Sequence, residues 1–535
     1  MLTNDGYPPI DLSRRSFLGT AAAVATGAAS PAMAAPRRGG TLRFGTRVDG
    51  DGLDGHRNIV YYVSDPFACT VQGLLDLDQN MNIVPGVAEA WEMSKDMMRY
   101  TFRLRKGAEY HNGADVDAAS VKWNYERILD PRIGHAFIRS SFEEVERIEV
   151  DGKHVVHMHL KRPSAVFAAN VVFFPVILMA PNSVDQADTL PIGCGPFRFV
   201  SWKRYAKGEF VRFPNYFETG ADGKSLPYLD AIEGYPKRED KVRLTALRTG
   251  EIDLIDNMPF SDVKEFVRDS QNKFTTWNVP QVGMAHLNIN AKAGPFAMNA
   301  PNGKLLRQAV AHAIDKQAIH AAVYSDLGEP VNHFYGKASP WHMPGEKNEK
   351  VYDPERSRAI LRKLNMLNQP IAVVSRDAFL YMRNTAELIH SMLLEAGFKA
   401  TNEVFDNPVL RDKYRKNDWG IDSTASSYRF EPDGWYSRWI HSGGDEGKLR
   451  LGFKNERVDK LIEEARVSTG VDKRKQLYSE VDGIVNDEAA VIYCHTVPLV
   501  SAGVNRLKGY TPTIAGVFTW SGGGVRTAYF DEKPA

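Results

Sequence analysis

The chain has 535 residues, with 67 Lys and Arg against 66 Asp and Glu, and its formal net charge is +1. Charges so balanced and dispersed argue against a nucleic-acid or other polyanionic partner. Single hydrophobic cores stop growing at roughly 250–300 residues, so the length predicts at least two lobes. Three cysteines are too few for a disulfide scaffold, and whether Cys69 and Cys494 pair stays open from the sequence.

The first 34 residues are typical of an export signal. Arg14 and Arg15 stand before an Ala- and Gly-rich apolar run, and Ala32-Met33-Ala34 places small residues where a signal peptidase reads them. The arginine pair predicts a twin-arginine signal peptide that is cleaved near Ala34. Because no cysteine follows the cleavage point to carry a lipid anchor, the mature protein is expected to be soluble in the periplasm.

Strand signals dominate the part of the chain that follows. Residues 100–105 alternate apolar and polar side chains, the period of a half-buried strand. A hairpin is predicted over residues 148–160, with its turn at Asp151-Gly152. The apolar run from Ala165 to Ala180 is interrupted and too short to span a membrane, so it predicts one or two buried strands.

Helix signals are interleaved with these strands. Apolar residues at helical spacing follow Asp117, and further amphipathic helices are predicted over 306–314 and 458–465. Another helix is predicted over 477–485, with Asp472 as its N-cap. This alternation favours α/β lobes in which helices cover a sheet.

Enzyme and metal sites find little support in the sequence. His154, His157 and His159 suggest a metal site, but on a strand His157 and His159 share one face, and a solvated strand face is the better interpretation. No residues supply a paired nucleophile and base, so we predict a protein that is not an enzyme. No cofactor and no metal are expected.

Several ordered motifs resemble the signature of ABC-importer solute-binding proteins of the peptide/nickel/opine type, the family of dipeptide- and oligopeptide-binding proteins. The order and spacing of the motifs carry the resemblance, which covers nearly the whole mature chain. The motifs are at residues 73–76, 85–92, 100–107, 111–113, 191–197, 247–254, 307–315 and 474–478.

The resemblance implies an α/β, two-lobed periplasmic binding protein fold of class II, which closes by hinge motion on its ligand. Its first lobe is expected to be enlarged and discontinuous. The implied division is a signal peptide at 1–34, lobe one at 35–280 with an inserted subdomain at about 58–189, lobe two at 281–490, and a return to lobe one at 491–535.

The resemblance also points to a ligand-contacting segment. In dipeptide and oligopeptide binders, an Asp a few residues before an Asp-Pro step pairs with the peptide's amino group. Here Tyr428 takes that position, before Glu431-Pro432, and Arg429 beside it offers a fork for a carboxylate or phosphate. This departure favours an opine-like, modified amino-acid or otherwise acidic ligand. If the alignment with the family is shifted by more than one residue, Glu431 or Asp433 would take the position of the acidic residue that binds the amino group.

Five residues are predicted to contact the ligand, among them aromatic side chains that flank this segment. Trp123 matches a position where oligopeptide binders carry a pocket Tyr, although it could equally pack its helix onto a sheet. The predicted ligand-binding residues are Trp123, Tyr428, Arg429, Asp433 and Trp435.

The resulting functional prediction is a periplasmic receptor that captures a peptide or amino-acid conjugate and delivers it to the permease subunits of an ABC importer. It is expected to act as a monomer and to bind a small organic solute. The alternative is a sensory or chaperone-like binding protein that passes its ligand to a signalling partner.

Overall fold

The computed structural model describes residues 36–47, 52–58, 66–173, 178–270, 273–343, 350–377, 379–514 and 519–531. The predicted export signal lies outside these residues. The described chain forms two compact units, one of residues 279–499 and one of residues 36–278 together with 500–531. The chain passes between them within the strands Phe274–Ile289 and Val491–Val504. Among the described residues, no helix is long and apolar enough to cross a bilayer.

A mixed sheet organises the 279–499 unit. Its strands follow the order Lys399–Phe405, Pro370–Arg376, Ile421–Ser427 and Phe274–Ile289. The first three are parallel, and the fourth runs antiparallel, with Gly283 opposite Ser427. The carboxyl ends of the parallel strands therefore meet at one edge of the sheet, where ligand sites of open α/β sheets are commonly found.

Helices of the same unit accompany this sheet, and Leu380–Glu395 packs directly on three of its strands. Short helical turns occur at Gly294–Phe296, Asp433–Trp435, Tyr436–Ile440 and Gly447–Leu451. The longer helices are Gly303–Ala313, Lys316–Tyr324, Pro354–Lys363, Leu380–Glu395, Asn407–Lys416, Glu456–Arg466 and Val471–Glu488.

Helix ends in this unit follow local side-chain chemistry in one case and depart from it in another. The helix Glu456–Arg466 begins where the side chain of Asn455 accepts hydrogen bonds from two backbone N–H groups, as an N-cap does. The predicted N-cap at Asp472 is wrong, because the helix Val471–Glu488 begins before Asp472 and has Gly470 as its N-cap. Asp472 instead lies in the first turn, where a carboxylate interacts favourably with the helix dipole.

The second unit contains a larger and a smaller sheet. The larger contains strands in the order Leu254–Ile255, Thr41–Thr46, Ala231–Pro236, Lys207–Arg212 and Phe197–Lys203, and Val491–Val504 pairs with the first of them. The smaller sheet has the order Ala88–Met93, Arg99–Leu104, Val155–Leu160 and Val145–Asp151. The second unit also contains three short strand pairs: Leu75–Leu77 with Ile83–Pro85, Leu507–Lys508 with Tyr529–Phe530, and Thr519–Trp520 with Gly523–Gly524. The helices of this unit are Pro66–Thr70, Ala118–Leu129, Ala136–Phe142, Phe167–Phe173, Pro181–Gln186, Asp240–Arg248 and Phe260–Asp269.

Most of the secondary structure predicted in this unit is confirmed. The strand at 100–105 is Arg99–Leu104, and the hairpin joins Val145–Asp151 to Val155–Leu160. The helix after Asp117 is Ala118–Leu129, which begins with a reciprocal capping box between Asp117 and Ser120. The prediction of strands over Ala165–Ala180 is wrong, because its first part forms the helix Phe167–Phe173. Residues 174–177 lie outside the described residues.

A close backbone approach explains the motif at residues 191–197. A Cβ at Gly193 would collide with the Thr70 carbonyl oxygen, and one at Gly195 would collide with the Cys69 carbonyl oxygen. Glycine is therefore required where this turn lies against the helix Pro66–Thr70.

The cysteines Cys69, Cys194 and Cys494 are all buried free thiols. The Cys69–Cys494 disulfide that the sequence left open is therefore absent from the structure. Burial raises the pKa of each thiol, to about 12 for Cys194 and Cys494.

Candidate functional site

The predicted ligand-contacting residues of the 279–499 unit lie just beyond the carboxyl end of the strand Ile421–Ser427. We call residues 428–440 the 428–440 segment. After Pro432 it makes a short helix, Asp433–Trp435, and then a π-helical turn, Tyr436–Ile440. Single π-helical turns are rare and occur frequently at functional sites.

Tyr428 begins this segment and is held on several sides. Its backbone N–H donates to the Val282 carbonyl at 2.9 Å, which extends the pairing of the preceding strand. Its hydroxyl lies 2.6 Å from the Ser339 hydroxyl, and its ring meets the Tyr335 ring edge to face at 5.5 Å. Only 4% of Tyr428 is exposed, so its orientation is fixed by these neighbours.

Arg429 is buried, with 5% of its surface exposed. Its Nη1 donates hydrogen bonds to the carbonyl oxygens of Ser427 at 2.9 Å and Tyr428 at 3.4 Å. The negative charge of Glu446 favours the charged form of this guanidinium. Burial lowers the pKa of Arg429 to about 9, and the positive charge of Arg438 acts in the same direction. An anion brought beside this side chain would oppose that shift.

The two acidic residues of the segment are each paired with an arginine of the same unit. Glu431 lies 2.6 Å from Arg474, and both side chains are buried. Asp433 lies 3.2 Å from Arg466 and also accepts a hydrogen bond from Ser437. Burial raises the pKa of Glu431 to about 7, against the opposing charge of Arg474. Neither carboxylate could bind a ligand ammonium without giving up a buried partner.

Trp435 is completely enclosed by side chains of its own unit. Its ring stacks on Trp439 at 5.1 Å and lies 4.7 Å from Phe334. The edge of His286 meets Trp435 and Trp439 at 5.0 and 5.2 Å. Burial lowers the pKa of His286 to about 3, so this imidazole is neutral. Trp435 thus lies in an aromatic cluster that supports the segment from inside.

Trp123 lies in the other unit, on the helix Ala118–Leu129, and is half-buried. The Arg127 guanidinium stands 5.7 Å from the centre of its ring, and His56 lies 6.3 Å away. Arg127 is fixed in turn by a buried ion pair of 2.6 Å with Asp54. The structure therefore brings Tyr428, Arg429, Asp433 and Trp435 together on one segment and places Trp123 in the other unit.

The stretch 333–342 was missed by the sequence reasoning, although it braces the segment. The Trp341 indole N–H donates to the Phe430 carbonyl at 2.8 Å, and its ring lies 4.6 Å from the Arg474 guanidinium. Ser339 and Tyr335 contact Tyr428 from the same stretch. The density of aromatic and histidine residues in 333–342 is a signal that could have indicated it.

Of the three histidines considered as metal ligands, His157 and His159 belong to a polar strand face, and His154 lies in the preceding turn. Nδ1 of His157 lies 2.9 Å from the Thr101 hydroxyl, and Nε2 of His159 lies 2.9 Å from a Glu149 carboxylate oxygen. Both residues are on the strand Val155–Leu160, whose Val156 and Met158 face the core. The solvated-face interpretation agrees with this geometry.

Comparison with known proteins identifies the class. The structure of the ABC transporter-associated periplasmic binding protein DppA of Helicobacter pylori in complex with the peptide STSA matches with a TM-score of 0.78 at 20% identity, over 93% of this chain and 99% of that one. The binding protein AgaA of A. tumefaciens R10 in complex with agropinic acid matches with a TM-score of 0.78 at 24% identity, over 92% and 99%. The fold is thus the α/β, two-lobed periplasmic binding protein fold, as predicted.

The sequence comparisons then give the family. The family model for bacterial extracellular solute-binding proteins, family 5, matches residues 82–448, and this chain belongs to that family. The glutathione-binding protein GsiB of Pectobacterium atrosepticum is 23% identical over 93% of this chain and 96% of its own length. The di/tripeptide-binding protein 2 of Pseudomonas aeruginosa is 26% identical over 86% and 90%.

Proposed function

We propose that this extracellular solute-binding protein captures a small organic solute with an anionic group, a peptide or amino-acid conjugate, and delivers it to the permease of an ABC importer. The observation that carries the choice of solute is the charge arrangement of the 428–440 segment. Its acids are already paired with Arg466 and Arg474, and the buried guanidinium of Arg429 offers a fork for a carboxylate or phosphate. The segment is therefore better suited to a carboxylate or phosphate than to a free amino group.

The contacts divide the predicted ligand residues by role. We assign solute contact to Arg429 and Tyr428, at the start of the segment. Asp433 and Trp435 support the backbone from within the unit, through Arg466 and the aromatic cluster. Trp123 stays a predicted ligand residue, and the centre of its ring lies 5.7 Å from the Arg127 guanidinium.

The names of two relatives support an acidic solute. One is named for glutathione and one was solved with agropinic acid, and both compounds carry carboxylates at neutral pH. We therefore propose the same class of ligand for this chain, which is less than 25% identical to either protein.

Native mass spectrometry of the protein purified from its own host tests the proposal. We expect a retained small molecule with at least one acidic group. Calorimetric titration of the stripped protein should then show binding of that molecule, with glutathione as an acidic peptide and Ala-Ala as a simple one for comparison. Ala-Ala has no net negative charge at neutral pH, so its binding in preference to every acidic compound would contradict the choice of a solute with net negative charge.

The proposed export route gives a separate prediction. Replacing Arg14 and Arg15 together with lysine should leave the precursor in the cytoplasm, because the twin-arginine pathway reads the guanidinium pair and not charge alone. Cell fractionation followed by immunoblotting measures this, with an Arg37→Lys and Arg38→Lys variant beyond the cleavage site as the control. Normal periplasmic accumulation of the first variant would rule out the twin-arginine assignment.

A further inference from the structure

One buried carboxylate joins the 428–440 segment to two other elements of its unit. Asp482 lies on the helix Val471–Glu488 and is 5% exposed. One oxygen of its carboxylate accepts a hydrogen bond from the Tyr436 hydroxyl at 2.6 Å, and the other accepts from the Tyr493 hydroxyl at 3.0 Å. Tyr436 belongs to the π-helical turn, and Tyr493 belongs to the strand Val491–Val504.

The same contacts reach the aromatic cluster beneath the segment. The Trp435 indole N–H donates to the Tyr493 hydroxyl oxygen at 3.4 Å. The Tyr436 ring stacks on Tyr478 at 4.5 Å with an interplanar angle of 13°, one helical turn before Asp482. Asp482 is therefore connected to two consecutive residues of the segment, directly to Tyr436 and through Tyr493 to Trp435.

A carboxylate suits this place because it is an acceptor at both oxygens and meets two hydroxyl donors. An asparagine of nearly the same shape accepts at one atom only, so one tyrosine would lose its acceptor. Loss of a buried hydrogen bond to a charged group has a larger effect than loss of a neutral one.

We propose that Asp482 is a positioning residue: by holding the hydroxyls of Tyr436 and Tyr493 it fixes the backbone of residues 433–440 and the indole of Trp435. Its relevance to solute binding rests on the function proposed above for the segment. The contact with solute belongs to Arg429 and Tyr428, and Asp482 acts on the later part of the same segment.

Protonation gives this role a measurable signature. Burial raises the pKa of Asp482 to about 7. The groups that face it are the hydroxyls of Tyr436 and Tyr493, and next to these tyrosines lie Tyr335 and Tyr478. Around Tyr478 the charged side chains are Glu431, Asp433, Arg466 and Arg474.

The sign of the pH effect follows from the raised pKa. The carboxyl is protonated in the native state up to about pH 7, whereas in the unfolded chain it ionises near pH 4. The contribution of Asp482 to the free energy of unfolding therefore declines as the pH rises from about 4 to about 7 and is constant above. In Asp482→Asn this decline should be absent.

The experiment is hydrogen exchange of the solute-free protein across pH 5.5 to 8.5, after correction for intrinsic exchange rates. In Asp482→Asn, amides of residues 433–440 should exchange about tenfold faster than in the parent at pH 8. The parent's protection in these residues should decline as the pH rises from 5.5 to about 7 and stay constant above, and the variant should not show this decline. Asp472→Asn, an exposed acid on the same helix, is the matched control and should leave both profiles unchanged.

Two further measurements separate the possible failures. If residues 433–440 exchange alike in parent and Asp482→Asn at every pH, the positioning role is wrong, whatever happens to global stability. Tyr436→Phe and Tyr493→Phe should each increase the exchange rate of these amides by less than Asp482→Asn does, because each variant removes one of the two hydrogen bonds to Asp482. Calorimetry with glutathione tests the segment's role separately: faster exchange with unchanged affinity would keep the positioning of the backbone and overturn the function proposed for the segment.

Discussion

Replacing Arg429 with alanine is expected to weaken binding of an anionic solute by about 2–5 kcal/mol, the usual range when one partner of a buried charge pair is removed. The physical reason is that the guanidinium is buried, so its proposed pairing with the anionic group of the solute would be shielded from water. Because burial disfavours its charge, the free protein should keep its stability or gain slightly. Calorimetric titration with glutathione and with the solute recovered from native protein measures the change.

Arg438 provides a matched control for this prediction. It lies in the same segment, but its guanidinium makes a two-pronged ion pair with Asp445 at 2.9 and 3.0 Å. Arg438→Ala should therefore affect affinity much less than Arg429→Ala. Tyr428→Asp should shift preference toward peptides with a free amino group, since it restores the acidic anchor. Unchanged affinity of Arg429→Ala would remove the main support for an anionic solute.

Replacing Arg474 with methionine should destabilise the protein by about 3–5 kcal/mol, because it leaves the Glu431 carboxylate buried without its partner. The pair is 2.6 Å long, and Arg474 is completely buried against the Trp341 ring. The loss should be larger at pH 8 than at pH 5, since a Glu431 with a pKa already raised to about 7 is protonated at the lower pH. Chemical denaturation followed by tryptophan fluorescence gives the free energy of unfolding at each pH.

A double variant distinguishes loss of the ion pair from loss of packing. Glu431→Gln with Arg474→Met removes both charges, so most of the stability lost in Arg474→Met should return. If the double variant is as unstable as Arg474→Met at pH 8, then the packing of Arg474 on Trp341 matters more than its charge. In that case the unpaired charge of Glu431 is not the cause of the instability.

The sequence predicted those elements whose pattern is local. The alternation in Arg99–Leu104 and the apolar spacing in Ala118–Leu129 each identify one buried face, and the structure buries that face. The prediction for Ala165–Ala180 was wrong because a continuous apolar stretch has no periodicity, so a buried strand and a short buried helix cannot be distinguished in it. The prediction of Asp472 as an N-cap was wrong because an Asp that suits an N-cap position also suits the first turn of a helix.

The candidate site was predictable only in part, for a different reason. The resemblance placed Tyr428 and Arg429 in the family's ligand-contacting segment, and in the structure they directly follow the strand Ile421–Ser427. The partners that decide the charge of the segment come from far along the chain, as Arg474 does for Glu431 and Arg466 for Asp433. Pairings over such separations have no periodic signature, so the availability of the two acids could be judged only from coordinates.

The buried thiols have a practical consequence for studying this protein in solution. Thiol reagents attack the thiolate, and burial keeps Cys69, Cys194 and Cys494 protonated and out of contact with solvent. A maleimide dye should therefore react with an engineered surface cysteine and leave the native ones unmodified. A dye attached in this way could then report solute binding by fluorescence without first building a cysteine-free variant.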